Sequence, residues 1–132
     1  MTAQKPKVAI ACQGGGSQTA FTAGVLKGLF EEGVHEDFNV VSLSGTSGGS
    51  ICAALAWYAL EKKDREPHEP VRIPRTYPGA EDRDYYIPFI EMSAGSQAKL
   101  DYESKLDRSP ENIGTLIADG ERQARMFLKE RA

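Results

Sequence analysis

Long hydrophobic runs are missing from this 132-residue chain. A membrane-spanning helix needs about 20 apolar residues in succession, and nothing here approaches that. Cysteine is scarce as well. Cys12 and Cys52 are the only two, too few for a disulfide framework, so both are read as reduced thiols buried as small hydrophobes in a reducing compartment. The two histidines, His35 and His68, both stand among polar residues and read as exposed loop residues, which argues against a histidine-based triad. No spacing of His, Cys, Asp and Glu suggests a metal site, and no cofactor is implied. Positive charge is not in excess. The net charge is −3 and no basic aromatic patch appears, so nothing points to nucleic acid.

What is present fits one small soluble domain. Hydrophobic residues make up 40% and charged residues 27%. Lys5 and Lys7 followed by Val8–Cys12 superficially suggest a signal peptide, but the apolar stretch is far shorter than the roughly 7–15 residues of a secretory core. A buried first strand is the simpler reading. The expected location is cytoplasmic, with membranes touched at most peripherally.

The chain is organised around residues 38–60, FNVVSLSGTSGGSICAALAWYAL. Val40, Val41 and Leu43 make a strand rich in β-branched residues. Gly45-Thr46-Ser47-Gly48-Gly49 follow, and then Ile51, Ala54, Leu55 and Tyr58 recur at helical spacing. Strand, glycine turn and helix with serine at the apex is the G-x-S-x-G nucleophile elbow. Gly45 and Gly49 leave room for the tight turn. The helix that follows aims its unpaired N–H groups and partial positive charge at Ser47, where an oxyanion would form.

Upstream, Lys7–Gln13 read as a short buried strand, followed at once by Gly14-Gly15-Gly16. Phe21, Val25, Leu26, Leu29 and Phe30 then mark one face of a helix ending near Gly33. The polar connection His35-Glu36-Asp37 leads into the second strand. Strands alternating with helices imply an α/β fold with a parallel sheet.

A glycine run between a strand and a helix turns backbone N–H groups toward an anion. Alone, it fits a phosphate loop as well as an oxyanion hole. No lysine follows as a nucleoside triphosphate loop requires. The dinucleotide fingerprint wants glycine where Thr19 stands, although Glu36 and Asp37 lie near the expected acidic position. Together with the elbow, the loop favours acyl transfer, with Ser47 as nucleophile and Gly14, Gly15 and Gly16 as donors to the oxyanion. The competing reading is a phosphate- or nucleotide-binding module that uses the Gly14–Gly16 loop.

Beyond the elbow the composition changes. Of 16 Lys+Arg and 19 Asp+Glu, only Lys5, Lys7, Lys27, Glu31, Glu32, Glu36 and Asp37 precede Glu61. Residues 61–84 carry Pro67, Pro70, Pro74 and Pro78 among many charges and read as a solvated linker or loop. Tyr85–Ser93 reads as one strand, demoted to an edge or broken by Pro88. Ser109, Pro110 and Glu111 open a final amphipathic helix, whose stripe is Ile113, Leu116, Ile117, Ala124, Phe127 and Leu128. Asp119 falls about 120° off the centre of that stripe and is expected on the solvated helix surface. Three segments result: 1–60, a linker over 61–84, and 85–132 with a strand and a helix of the same domain.

ACQGGGSQTAFTAGVLKGLFEEG followed by SLSGTSGGSICAAL resembles the N-terminal part of patatin-like phospholipases. The tail LDYESKLDRSPENIGTLIADGERQARMFL is similar, less specifically, to the C-terminal end of bacterial members. The resemblance implies a partial patatin-like α/β fold and a lipid or other acyl-ester substrate. It also implies a serine–aspartate dyad without histidine, with Ser47 as nucleophile and Gly14, Gly15 and Gly16 as oxyanion loop. In the family that loop often continues with Arg or Lys and then Gly, where Gln18 and Thr19 stand here. The family's aspartate lies in an Asp-Gly-Gly or Asp-Gly-Ala motif well after the elbow. The one Asp-Gly here, Asp119-Gly120, is followed by Glu121 and sits inside the final helix. The expectation is therefore a truncated or internally deleted relative. It keeps nucleophile and oxyanion loop, lacks the base, shows little or no activity, and tends to associate through its uncovered sheet.

Overall fold

The computed structural model describes residues 5–63 and 89–130. Strand β1 (Lys7–Cys12) leads through the glycine loop and a single 3-10 turn (Gly16–Gln18) into helix α1 (Thr19–Glu31). Gly33 then takes the left-handed conformation at φ 81°, which only glycine adopts without strain. It reverses the chain into α2 (Val34–Asp37), a helical turn where a plain polar connection was expected. Strand β2 (Asn39–Gly45) pairs parallel with β1, and α3 (Gly48–Lys63) leaves from its C-terminal end. A short helix α4 (Ala94–Gln97) and the long α5 (Pro110–Lys129) complete the described residues.

Among the described residues the sheet has two strands, with Lys7 opposite Asn39 and Cys12 opposite Gly45, and a shift in register between Val8 and Ala9. The shift leaves Val41 as an extra residue on β2, turned out to solvent. Ile10, Cys12 and Leu43 point to one face, where Leu26 and Phe30 of α1 and Cys52, Ala53 and Ala56 of α3 close over them. Both helices therefore cover the same side. Lys7, Ala9 and Ala11 on the opposite side are exposed, so β1 alternates rather than being buried throughout.

Helix α5 lies on α1. Gly24, Gly28, Gly120 and Ala124 face one another along the seam. A Cβ on Gly24 would sit within 2.8 Å of the Ile117 backbone, and one on Gly120 within 2.7 Å of the Val25 amide. Small residues let two backbones approach to the point where main chain meets main chain. Leu29, Val34 and Ala124 form the buried cluster beside this seam, joined by Ile90 and Leu128. At the rim, Lys27 pairs with Glu121 at 2.7 Å and Arg125 with Glu31 at 2.8 Å and Glu32 at 3.0 Å. The start of α5 is as expected: Ser109 Oγ accepts from the Asn112 amide at 3.2 Å, with Pro110 in the first turn.

Three expectations are corrected. Ile51, Ala54, Leu55 and Tyr58 do not form the buried face of α3. Ile51 is 63% and Leu55 64% exposed, while Gly49, Ala53 and Ala56 face inward. The helix is apolar on both faces, so periodicity alone could not choose, and its small residues allow the closer approach to α1 and the strands. Residues 89–93 form no strand; residues 85–88, the 64–84 part of the expected linker and His68 lie outside the described residues. His35 is not an exposed loop residue either. It sits in α2 with its ring edge-on to Phe30, centroids 5.8 Å apart.

Both cysteines are free thiols. Burial pushes Cys12 up, helped by Cys52 nearby, and burial likewise raises Cys52, so both stay protonated and unreactive. No helix among the described residues is long and apolar enough to cross a membrane.

Candidate active site

Ser47 stands at the C-terminal end of β2, directly before α3. Its φ is 51°, and among the described residues it is the one non-glycine with positive φ. A side chain in the left-handed region costs about 1–3 kcal/mol and persists where the surroundings over-determine it. They do so here. The Gly49 amide donates to the Thr46 carbonyl at 2.9 Å, and the Ser47 carbonyl accepts from the Ser50 amide at 3.0 Å and the Ser50 hydroxyl at 2.5 Å. A Cβ on Gly45 would press within 2.5 Å of the Gly49 backbone, and one on Gly49 within 2.7 Å of the Gln13 backbone. The two elbow glycines are thus demanded by main-chain approaches on both sides of the serine.

The glycine loop closes on the same point. A Cβ on Gly14 would meet the Thr46 carbonyl oxygen and lie 2.8 Å from Ser47 Cβ. Gly15 and Gly16 take φ 151° and 59°, values that side chains rarely adopt. Among the described residues the amides of Gly14, Gly15 and Gly48 donate to no backbone carbonyl. Gly48 follows the serine at the N-terminus of α3, so the loop and the helix start both lie beside one exposed side chain. Amides free of backbone partners beside a serine are what an oxyanion hole requires.

The base is another matter. Asp119 is 1% exposed, not solvated. Two neighbours explain this. The seam with α1 covers one side of α5, and residues 89–97 cover the side that carries Asp119. Asp119 Oδ2 accepts from the Ser93 amide at 3.0 Å, and Oδ1 from Arg122 and, at 3.3 Å, from Gln123. Burial pushes its pKa up, but hydrogen bonds from Ser93, Ser96 and Gln123 outweigh burial and hold it below the usual carboxylate range. Asp107 Oδ1 accepts from the Ser109 amide at 2.8 Å. Neither carboxylate bonds to Ser47, and among the described residues no carboxylate does. His35 lies beyond the opposite end of β2, about 20 Å from the elbow by strand rise. Among the described residues no group of three His, Cys, Asp or Glu side chains could hold a metal ion.

Gln18 and Thr19 also find their places. Gln18 Nε2 donates to Ser104 Oγ at 3.2 Å. Thr19 Oγ1 is buried without a hydrogen-bond partner among the described residues and abuts Gly48, where a Cβ would lie 2.6 Å from it. The contacts of Ser17, Gln18 and Ser104 were not anticipated. The one available signal was Asp101-x-x-Ser104, a spacing that suits a side-chain-closed turn.

Residues 10–73 match the family model described as patatin-like phospholipase. This stretch is similar to patatin-like phospholipase domains. The match covers just under half of the chain, from Ile10 in β1 through the glycine loop, α1, β2, the elbow and α3. It extends to residue 73, past the N-terminal stretch that carries the resemblance, and leaves out the turn at 101–106 and α5. Comparison with curated proteins and with solved structures gave no match. The mixed α/β architecture of the described residues, with its two-stranded parallel sheet, is consistent with part of a patatin fold.

Proposed function

We propose that this chain carries the nucleophile half of a patatin-like serine–aspartate site that hydrolyses carboxylic esters of lipids through an acyl-enzyme on Ser47. Ser47 Oγ attacks the ester carbonyl, the carbonyl oxygen becomes an anion facing the amides of Gly14–Gly16 and Gly48, and as the acyl C–O bond breaks the serine proton passes to the departing alkoxide, which leaves as the alcohol. Water then releases the acyl group. The observation that carries this reading is the strained backbone of Ser47 at φ 51° with Gly14 packed against its Cβ. A plain surface turn has no reason to hold a serine so.

The deficiency is equally concrete. A serine hydroxyl is a weak nucleophile until a base takes its proton. No described carboxylate reaches Ser47. Removing the base from such a site lowers the rate by orders of magnitude, while an oxyanion hole alone preserves some activity. Slow acylation and feeble turnover are therefore expected, as for a relative from which the aspartate-bearing segment has been deleted.

A fluorophosphonate probe reacts with an activated serine and tests this directly. The expected result is slow labelling of the wild-type chain that Ser47→Ala abolishes, with both proteins equally folded by circular dichroism. A folded wild-type chain that stays unlabelled over prolonged exposure overturns the hydrolase reading in favour of an anion-binding module or an inert scaffold.

A further inference from the structure

The glycine loop is held from behind as well as in front. Gly14 meets the elbow, while Gly16 presses on the carbonyl of Lys105. The Ser17 amide donates to the Lys105 carbonyl at 2.9 Å, the Ser17 hydroxyl to the Ser104 carbonyl at 2.7 Å, and Gln18 Nε2 to Ser104 Oγ at 3.2 Å. Three donors following the loop thus converge on two adjacent residues more than 80 positions later in the chain.

The turn that receives them is closed on itself. The Ser104 amide donates to Asp101 Oδ1 at 2.6 Å, the Asp101 amide to Ser104 Oγ at 2.9 Å, and Ser104 Oγ to the Asp101 carbonyl at 3.0 Å. With the bond from Gln18, the Ser104 hydroxyl donates once and accepts twice, which is its full capacity. The turn is also tied to α5 at both ends. Ser93 is anchored on Asp119 upstream, and downstream Asn112 Nδ2 donates to the Asp107 carbonyl at 3.0 Å.

We propose that the turn at 101–106 is a brace for the oxyanion loop, with Ser17 and Ser104 as its positioning residues. The brace draws the Ser17 amide and hydroxyl away from Ser47 and leaves the preceding glycine amides turned toward it. Backbone at φ 151° and 59° does not hold itself in place; contacts on both sides must fix it. The inference rests on reading Gly14–Gly16 as the oxyanion loop, but the brace itself can be tested without that reading.

The test uses Ser17→Ala, Ser104→Ala and Ser17→Thr, the last keeping the hydroxyl. Amide hydrogen exchange by NMR is the first readout. Both alanine variants should speed exchange at Ser17 about tenfold, the effect of one lost hydrogen bond, and shift the Gly14–Gly16 resonances. Amides of Leu116–Ala124 in the helix seam should stay unchanged, which separates loss of the brace from loss of fold. Ser17→Thr should restore the wild-type pattern. Unchanged glycine resonances in both alanine variants overturn the brace. Fluorophosphonate kinetics are the second readout. The alanine variants should lower the maximal labelling rate without changing the half-saturating probe concentration. Shifted glycines with an unchanged labelling rate overturn the positioning role. An unlabelled wild-type chain overturns Ser47 as nucleophile and leaves the brace to be decided by exchange.

Discussion

The two long contacts of α1 are built on opposite principles. Toward α5, Gly24, Gly28, Gly120 and Ala124 bring backbone against backbone, with ion pairs sealing the rim. Toward α3, a few small side chains meet the sheet and α1, while Ile51, Leu55 and Tyr58 project away. Among the described residues nothing covers Ile51 and Leu55, or Ala9 and Ala11 on the open face of the sheet. The first contact is finished and intolerant of change. The second is finished on one side only, on the very element that carries the elbow. Stability and candidate chemistry are thus unevenly distributed: the helix pair holds the fold, and the elbow hangs from the less enclosed part.

Glycine substitution should break this comparison most sharply. In Gly24→Val the new side chain runs into the main chain of Ile117, which cannot yield. The expected loss is about 3 kcal/mol or more, outweighing the roughly 0.3–0.5 kcal/mol that helix propensity returns on going from Gly to Val. Urea denaturation should show a large fall in midpoint.

Asp119→Ala comes next. It deprives the Ser93 amide of its acceptor, an effect of about 1–3 kcal/mol. The wild-type contribution depends on pH with a definite sign. The folded carboxyl is depressed below its unfolded value of about 3.9, so the stabilisation is complete above that value and drains away as pH falls through it toward the folded pKa. The stability gap between wild type and variant, measured by urea melts from pH 6 down to 2.5, should narrow below about pH 4.

Gly114 sharpens the contrast from within α5. A Cβ there meets nothing within 4 Å, so Gly114→Ala should stabilise the protein by up to ~1 kcal/mol, read as a rise in melting temperature. The same change at Gly120 must do the opposite. Smallest of all, Leu55→Ser on the open face of α3 should move stability by no more than about 0.5 kcal/mol. A larger loss would mean that Leu55 is covered in solution.

Much of the candidate site was legible because its logic is local. A β-branched strand, a glycine turn and an apolar helix name Ser47 by adjacency, and the strain at φ 51° is what that motif predicts. The cap at Ser109 and the turn at Gly33 were readable for the same reason. The orientation of α3 was not, since an all-apolar helix has no periodic face to read. Nor was the burial of Asp119, because the seam with α1 accounts for only one of the two covered sides of α5. The second cover comes from residues 89–97, whose position no local pattern encodes.

The sequence by itself determined the strand–loop–helix order, the tight turn at Ser47, the glycine loop and its patatin-like character, since each depends on neighbours a few residues apart. Only the tertiary structure decided that Asp119 is buried and anchors Ser93, that small residues of α3 face inward, and that the turn at 101–106 backs the glycine loop. Those outcomes depend on groups tens of residues apart meeting within hydrogen-bond distance, and it is packing, not spacing along the chain, that brings them together.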